Sequence, residues 1–154
     1  MSQPAVSRPH RGTIFVEDAV ILAHQSYPGD QYILRVQAPD CAARAQPGSF
    51  AHLTCGPELP MRRPLSIMRV DAKAGWVEFL YKAVGQGTRR LATRLVGETL
   101  SVMGPIGKPF QPHRERPRAL LMGGGVGIPP MVFLAEHLKA DKHWQPLVLM
   151  GSEV

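Results

Sequence analysis

Along the first hundred or so residues, apolar side chains recur at every second position. In "TIFVEDAVILA", Thr13 to Ala23, and in "QYILRVQAP" from Gln31, β-branched and aromatic residues alternate with polar ones, and the turn-formers Pro28, Gly29 and Asp30 stand between them. "PGSFAHLTC" follows a Pro-Gly turn with Phe50, His52 and Cys55 set against smaller residues. "RRPLSIMRV" and "GWVEFLYKAV" continue the period of two around a turn at Lys73 to Gly75. Five antiparallel strands in about eighty residues is the spacing of a small barrel or sandwich.

After Gly87 the period changes. "TRRLATRLV" places Leu91, Leu95 and Val96 at helical spacing, with Thr88 as the expected N-cap. "ETLSVMGPIG" predicts a sixth strand closing in a turn at Gly104-Pro105, and the charged, proline-rich "KPFQPHRERPR" reads as a linker. Beyond it, the apolar runs "ALLMGGG" and "PLVLMGS" flank "IPPMVFLAEHLKA", in which Met131, Leu134, Ala135 and Leu138 share one helical face. Strand, helix, strand is the βαβ unit of a parallel sheet. The pattern predicts all-β plus α/β: a flexible basic arm over residues 1–12, six antiparallel strands in a barrel or sandwich over 13–107, a linker over 108–117 and a βαβ unit over 118–154. Two parallel strands and one helix cannot cover both faces of their sheet, so this last unit is expected to be an incomplete, truncated domain.

Composition narrows the picture without changing it. At 154 residues, 44% hydrophobic and 19% charged, the chain has room for a real core, and its 15 glycines and 15 prolines speak against a helical bundle. A formal charge of +6 favours phosphate-bearing partners through the long-range field. Nucleic acid is disfavoured among these, because there is no zinc-finger spacing, no aromatic-studded basic stretch and only 6% aromatic content. Cys41 and Cys55 form neither a C-x-x-C motif nor a disulfide framework, which predicts a reduced, intracellular chain. The six histidines lack ligand spacing, so no metal site is expected. The opening "MSQPAVSRPHRG" has no apolar stretch of the kind a secretory signal needs, and no run reaches the ~18 apolar residues that span a bilayer. A cytoplasmic protein, not a membrane one, is expected.

Three segments carry candidate chemistry. "GGGVGIPP", Gly123 to Pro130, sets glycines between a strand and a helix, where backbone can approach a pyrophosphate and the helix N-terminus attracts the anion. Its spacing misses G-x-G-x-x-G, and a tight strand-to-helix turn with prolines in the first helical turn would use the same residues. "YKAVGQGTRR" places Gly85, Gly87 and Thr88 ahead of a helix, which serves equally as an anion site or as a plain cap. "RRPLSI" opens an apolar strand with Arg62 and Arg63 and embeds Ser66 in it, residues that elsewhere are usually solvated or bonded to backbone.

Taken in order, "PGSFAHL", "RRPLSI", "GQGT", "MGPIG" and "GGGVGIPP" resemble the ferredoxin reductase-like flavoproteins and, among them, the electron-transfer subunits of type B dihydroorotate dehydrogenases, over roughly residues 13 to 154. The resemblance implies a barrel that binds FAD. In it Arg63 pairs with the pyrophosphate, a match of guanidinium to phosphate oxygens. Ser66 bonds to the flavin near N5, and Pro64 and Leu65 complete the segment. Leu80, Tyr81 and Lys82 lie along the isoalloxazine and ribityl chain, and Gly87 and Thr88 hold phosphate. Gly123, Gly124, Gly125 and Gly127 begin an NAD(P) site.

The same resemblance implies a partner, an FMN-containing dihydroorotate dehydrogenase catalytic subunit, and a role between dihydroorotate oxidation and NAD in pyrimidine biosynthesis. The iron–sulfur cluster of the family needs a C-x4-C-x2-C run and a fourth cysteine, to which nothing in this sequence corresponds. Two other readings stay open: a different flavin or ferredoxin reductase of the superfamily, and a flavin-binding remnant without catalysis.

Overall fold

The computed structural model describes residues 12–152, so the arm expected over 1–12 lies almost wholly outside the described residues. Six antiparallel strands, β1 (Phe15–Tyr27), β2 (Gln31–Gln37), β3 (Phe50–Leu53), β4 (Arg63–Asp71), β5 (Trp76–Lys82) and β6 (Thr99–Ile106), close into a barrel in the order β1-β2-β5-β4-β3-β6. The period of two in the sequence becomes inward and outward faces. Ile21, Leu34, Val36, Leu53, Ile67, Val77, Phe79 and Val102 all point inward and are fully buried. The first hairpin turns at Gly29 and Asp30, which both take positive φ (77° and 56°).

β1 runs four residues past Ala23, carried by its pairing with β2 down to Tyr27↔Gln31. Gly104 and Pro105, expected as a turn, lie within β6 and are joined by a cis peptide. A Cβ on Gly104 would come within 2.8 Å of the Ala51 Cβ, so glycine lets β6 press against β3.

Helices plug the barrel. α1 (Pro39–Arg44), for which the sequence shows no helical signal, sends Cys41 and Ala42 into the core. α2 (Gln86–Ala92) sends Leu91 into it, but the cap is Gly85, not Thr88. Thr88 stands one turn in, where its Oγ1 accepts the amides of Val84 (3.1 Å) and Gly85 (3.2 Å). The helix stops before Leu95 and Val96, which are exposed.

Residues 107–119 contain neither helix nor strand, yet they are tied down. The Phe110 amide donates to the Pro47 carbonyl (2.9 Å), and Arg114 pairs with Asp141 (3.1 Å). β7 (Leu120–Gly124) and β8 (Leu147–Gly151) then form a two-stranded parallel sheet, joined by a 3-10 turn at Gly125–Gly127 and by α3 (Ile128–Lys139). Leu134 and Leu138 of α3 pack on Leu121 of β7, with Met131 and Ala135 beside them. Another side of α3 faces the barrel, where Phe133 joins the barrel core.

Candidate functional site

β4 and β5 run antiparallel, and their ladder begins at Ile67↔Phe79. Ser66, the residue before Ile67, and Leu80, the residue after Phe79, therefore sit at the same end of that ladder. Farther along the same end lie Arg63 and Pro64 on one strand and Tyr81 and Lys82 on the other, and α2 follows β5 directly. Segments 63–66 and 80–82 thus leave the β4–β5 ladder at the same end, the first paired with β3 and the second with β2, and Arg63 lies against Gly87 of α2.

At this end, a mouth of the barrel, the two arginines divide. Arg62 staples β4 to β6, donating to the Ser101 carbonyl (3.0 Å) and to Ser101 Oγ (2.9 Å). Arg63 donates to the Met61 carbonyl (3.0 Å) and lies over Gly87, where an added Cβ would meet its Nε at 2.4 Å. Only a residue without a side chain lets that guanidinium settle at the start of α2. Arg63 and Arg94 set a positive potential around Cys55, but burial outweighs them and pushes the Cys55 thiol up.

The remaining residues of the segment have distinct surroundings. Leu65 belongs to the barrel core, Ser66 is half-buried opposite Phe50 of β3, and Pro64 is exposed. β4 is flanked by β3 and β5 and is no edge strand, yet Pro64 is tolerated. The Ile67 amide donates toward Ser49 on the β3 side, so alternation turns the Pro64 nitrogen to the β5 side, ahead of where that ladder starts. Tyr81 turns its ring into the barrel and is 2% exposed. Its hydroxyl donates to His24 Nε2 (2.8 Å), because His24 Nδ1 already donates to the Arg94 carbonyl (2.8 Å). Tyr32 stacks on it at 5.4 Å, and burial pushes the phenol up. Tyr81 is thus a buried post beneath the mouth, with Leu80 and Lys82 more exposed on either side.

Leu80, Tyr81 and Lys82 form one wall of a cleft of about 550 Å³, and Gly124, Gly125 and Val126 form the facing wall. That volume lies within the range of ligand sites. Gly123 and Gly127 are not on the wall. A Cβ on Gly123 would press on Met150 Sδ (2.9 Å) and the Gly127 carbonyl (3.0 Å), so Gly123 serves the tight turn itself. Gln31, Gly151 and Ser152 also line the cleft, and Gln31 Nε2 donates to Ser152 Oγ (3.0 Å) across it. Gln31 carries no signal in the sequence and enters only because β2 pairs it with Lys82. Two features suit a dinucleotide, a guanidinium lying against a glycine at a helix start and a cleft walled in part by glycine backbone; Arg63, Ser66, Gly87 and Thr88 are not among the residues that line that cleft.

No protein-family model matches the chain. It is 34% identical over 139 residues, 89% of its length, to the dihydroorotate dehydrogenase B (NAD(+)) electron transfer subunit of Desulforamulus reducens, covering 53% of that protein. It is 36% identical over 113 residues to the subunit of the same name from Shouchella clausii, covering 71% of this chain and 44% of that one. The chain spans about half the length of the curated relatives it matches. Among solved structures, an NADH-dependent reduced ferredoxin-NADP oxidoreductase superposes with a TM-score of 0.82 at 25% identity, over 90% of this chain and 49% of that one. The ferredoxin reductase of carbazole 1,9a-dioxygenase does so with a TM-score of 0.78 at 25% identity, over 91% of this chain and 43% of that one. By sequence and by fold, the chain is a homologue of the dihydroorotate dehydrogenase B electron transfer subunits, built on the ferredoxin reductase-like fold.

Proposed function

We propose that the chain binds FAD at the β4–β5 mouth of the barrel and passes electrons between that flavin and a nicotinamide dinucleotide. In this reading it serves an FMN-containing dihydroorotate dehydrogenase catalytic subunit in pyrimidine biosynthesis. The observation that carries the reading is Arg63 seated over Gly87, together with a cleft that brings Leu80 to Lys82 opposite Gly124 to Val126. The names of the curated relatives, which read "NAD(+)" and "electron transfer subunit", support the assignment of partner and acceptor.

In this reading each residue has a physical task. Arg63 neutralises the pyrophosphate with a planar fork of donors, joined by the first-turn amides of α2, which have no acceptor within their own helix. The Ser66 hydroxyl would offer a hydrogen bond to the flavin ring. Leu80 and Lys82 flank the ring and ribityl chain, and Tyr81, locked by His24 and Tyr32, keeps that strand end rigid. Gly124 and Gly125 let backbone approach the nicotinamide dinucleotide from the other wall. When bound, FAD supplies the redox chemistry, and the chain supplies placement and electrostatics.

The test is the visible spectrum of the chain after addition of FAD and desalting. Retained flavin bands in the wild type, with affinity lowered at least tenfold in Arg63→Ala, are expected for a lost charge-assisted phosphate contact of about 1.5–3 kcal/mol. A folded, colourless wild type would sink the flavin assignment, and unchanged affinity in Arg63→Ala would remove Arg63 from the pyrophosphate.

A further inference from the structure

The outer face of β4 carries a second guanidinium, Arg69, three residues beyond Ser66. Arg69 donates through one terminal nitrogen to Glu78 Oε1 (3.1 Å) and through Nε to Glu136 Oε1 on α3 (2.7 Å). Glu78 is almost completely buried, and its other oxygen takes both Nε (3.0 Å) and the terminal nitrogen (2.7 Å) of Arg35, whose guanidinium lies 4.1 Å over the Trp76 ring. Arg35 therefore fixes Glu78, Glu78 fixes Arg69, and Arg69 presents its remaining edge to α3 already oriented. Such a chain of charge-assisted bonds is directional. α3 also packs along β4, with Phe133 in the barrel core and Pro129 buried, but these contacts are apolar and non-directional and define rotation less sharply than the ion pair.

The placement along the two elements gives this pair its meaning. Arg69 follows Ser66 by three residues on β4, and Glu136 follows Gly127 by nine on α3, about 14 Å of helix. One ion pair thus joins the strand that opens at the flavin mouth to the helix that opens at the glycine turn. We propose that Glu136, held by Arg69, is a positioning residue: it fixes the rotation of α3 on the apolar face of β4 and so, together with the Gln31–Ser152 hydrogen bond across the cleft, sets the width between Leu80–Lys82 and Gly124–Val126. What the cleft holds rests on the function proposed above; the clamp itself does not. Glu136 and Arg69 are both partly exposed, with 52% and 38% of their side chains accessible, so their pair adds little to folding stability and its effect is on geometry.

Spin labels at Lys73→Cys in the β4–β5 turn and Lys142→Cys beyond α3 report the relative placement of the two parts by double electron–electron resonance. The wild-type background is expected to give one narrow distance distribution. Glu136→Ala should at least double its width with an unchanged melting midpoint, and Glu136→Gln, which keeps an acceptor, should fall between. High salt should widen the wild-type distribution but leave that of Glu136→Ala unchanged, because the pair is open to screening. With FAD bound, iodide quenching of flavin fluorescence should rise about twofold in Glu136→Ala as the cleft loosens. Equal widths in wild type and Glu136→Ala, or a widened distribution without greater quenching, would overturn the proposal. A colourless wild type would instead defeat the flavin assignment, while the label distances still judged the clamp.

Discussion

Arg63 and Gly87 act as one device. The arginine's head rests on the start of α2, and a Cβ at position 87 would meet its Nε at 2.4 Å and displace it from there. A few ångströms away Arg62, identical in chemistry, is consumed in bonding Ser101 and holds β4 to β6. At the same scale the barrel keeps its thiols inert. Burial, and then the Glu17 carboxylate, push the Cys41 thiol up to about 12 from 9.0. A thiol held up in the folded state favours the protonated form there. Its contribution is intact below 9.0 and is lost as the pH rises toward about 12. Urea midpoints should therefore fall more steeply with pH across that window in the wild type than in Cys41→Ala. Parallel slopes would show that Cys41 ionises as freely in the folded protein as in the unfolded chain.

Among the elements, α1 shows how a helix can arise without a local signal. It is six residues long, no side chain of its own caps it, and Pro39 and Ala38 offer no acceptor at its start. The acceptor comes from β1: Glu17 takes the amides of Asp40 (2.9 Å) and Cys41 (2.8 Å) from more than twenty residues away. A carboxylate at a helix N-terminus also matches the helix dipole. Glu17→Ala should cost about 1 kcal/mol of stability, the usual worth of a lost cap. The same change should make Cys41 easier to ionise, since the Glu17 charge is part of what holds its thiol up. Chemical denaturation and thiol titration of the variant would check the two effects separately. A variant as stable as the wild type would mean that packing of Cys41 and Ala42 in the core suffices to hold α1.

At the scale of the whole molecule, two architectures with opposite surface logic are joined. The barrel closes on itself and has no edge strand. Among the described residues the β7–β8 sheet has two strands, and α3 covers one of its faces; Leu147, Val148, Leu149 and Met150 are all exposed, as are Leu120 and Met122. Apolar strand surface with open ladder groups pairs with whatever meets it. The isolated chain is expected to associate through this sheet, its mass by light scattering rising with concentration, and Leu149→Lys should weaken the association. A monodisperse monomer at every concentration would contradict this.

The alternation of apolar residues determined six strands, because each core-facing position must be apolar whatever its partner strand is; that they close into a barrel and not a sandwich was decided by their pairing. Met131, Leu134, Ala135 and Leu138 likewise determined α3 and the face that it turns to β7. The segments "RRPLSI", "GQGT" and "GGGVGIPP" were legible as chemistry because glycine, arginine and proline are costly or idle within regular elements. Pairing was not legible. That β5 lies between β2 and β4, bringing Gln31 and Lys82 together and setting Ile67 opposite Phe79, follows from long-range register, which local pattern leaves open. The same holds for Glu17 capping α1, for Tyr81 turned inward onto His24, and for Arg69 reaching Glu136. In each, a side chain's partner lies between about 20 and 70 residues away, and only the closed tertiary structure brings the two within bonding distance.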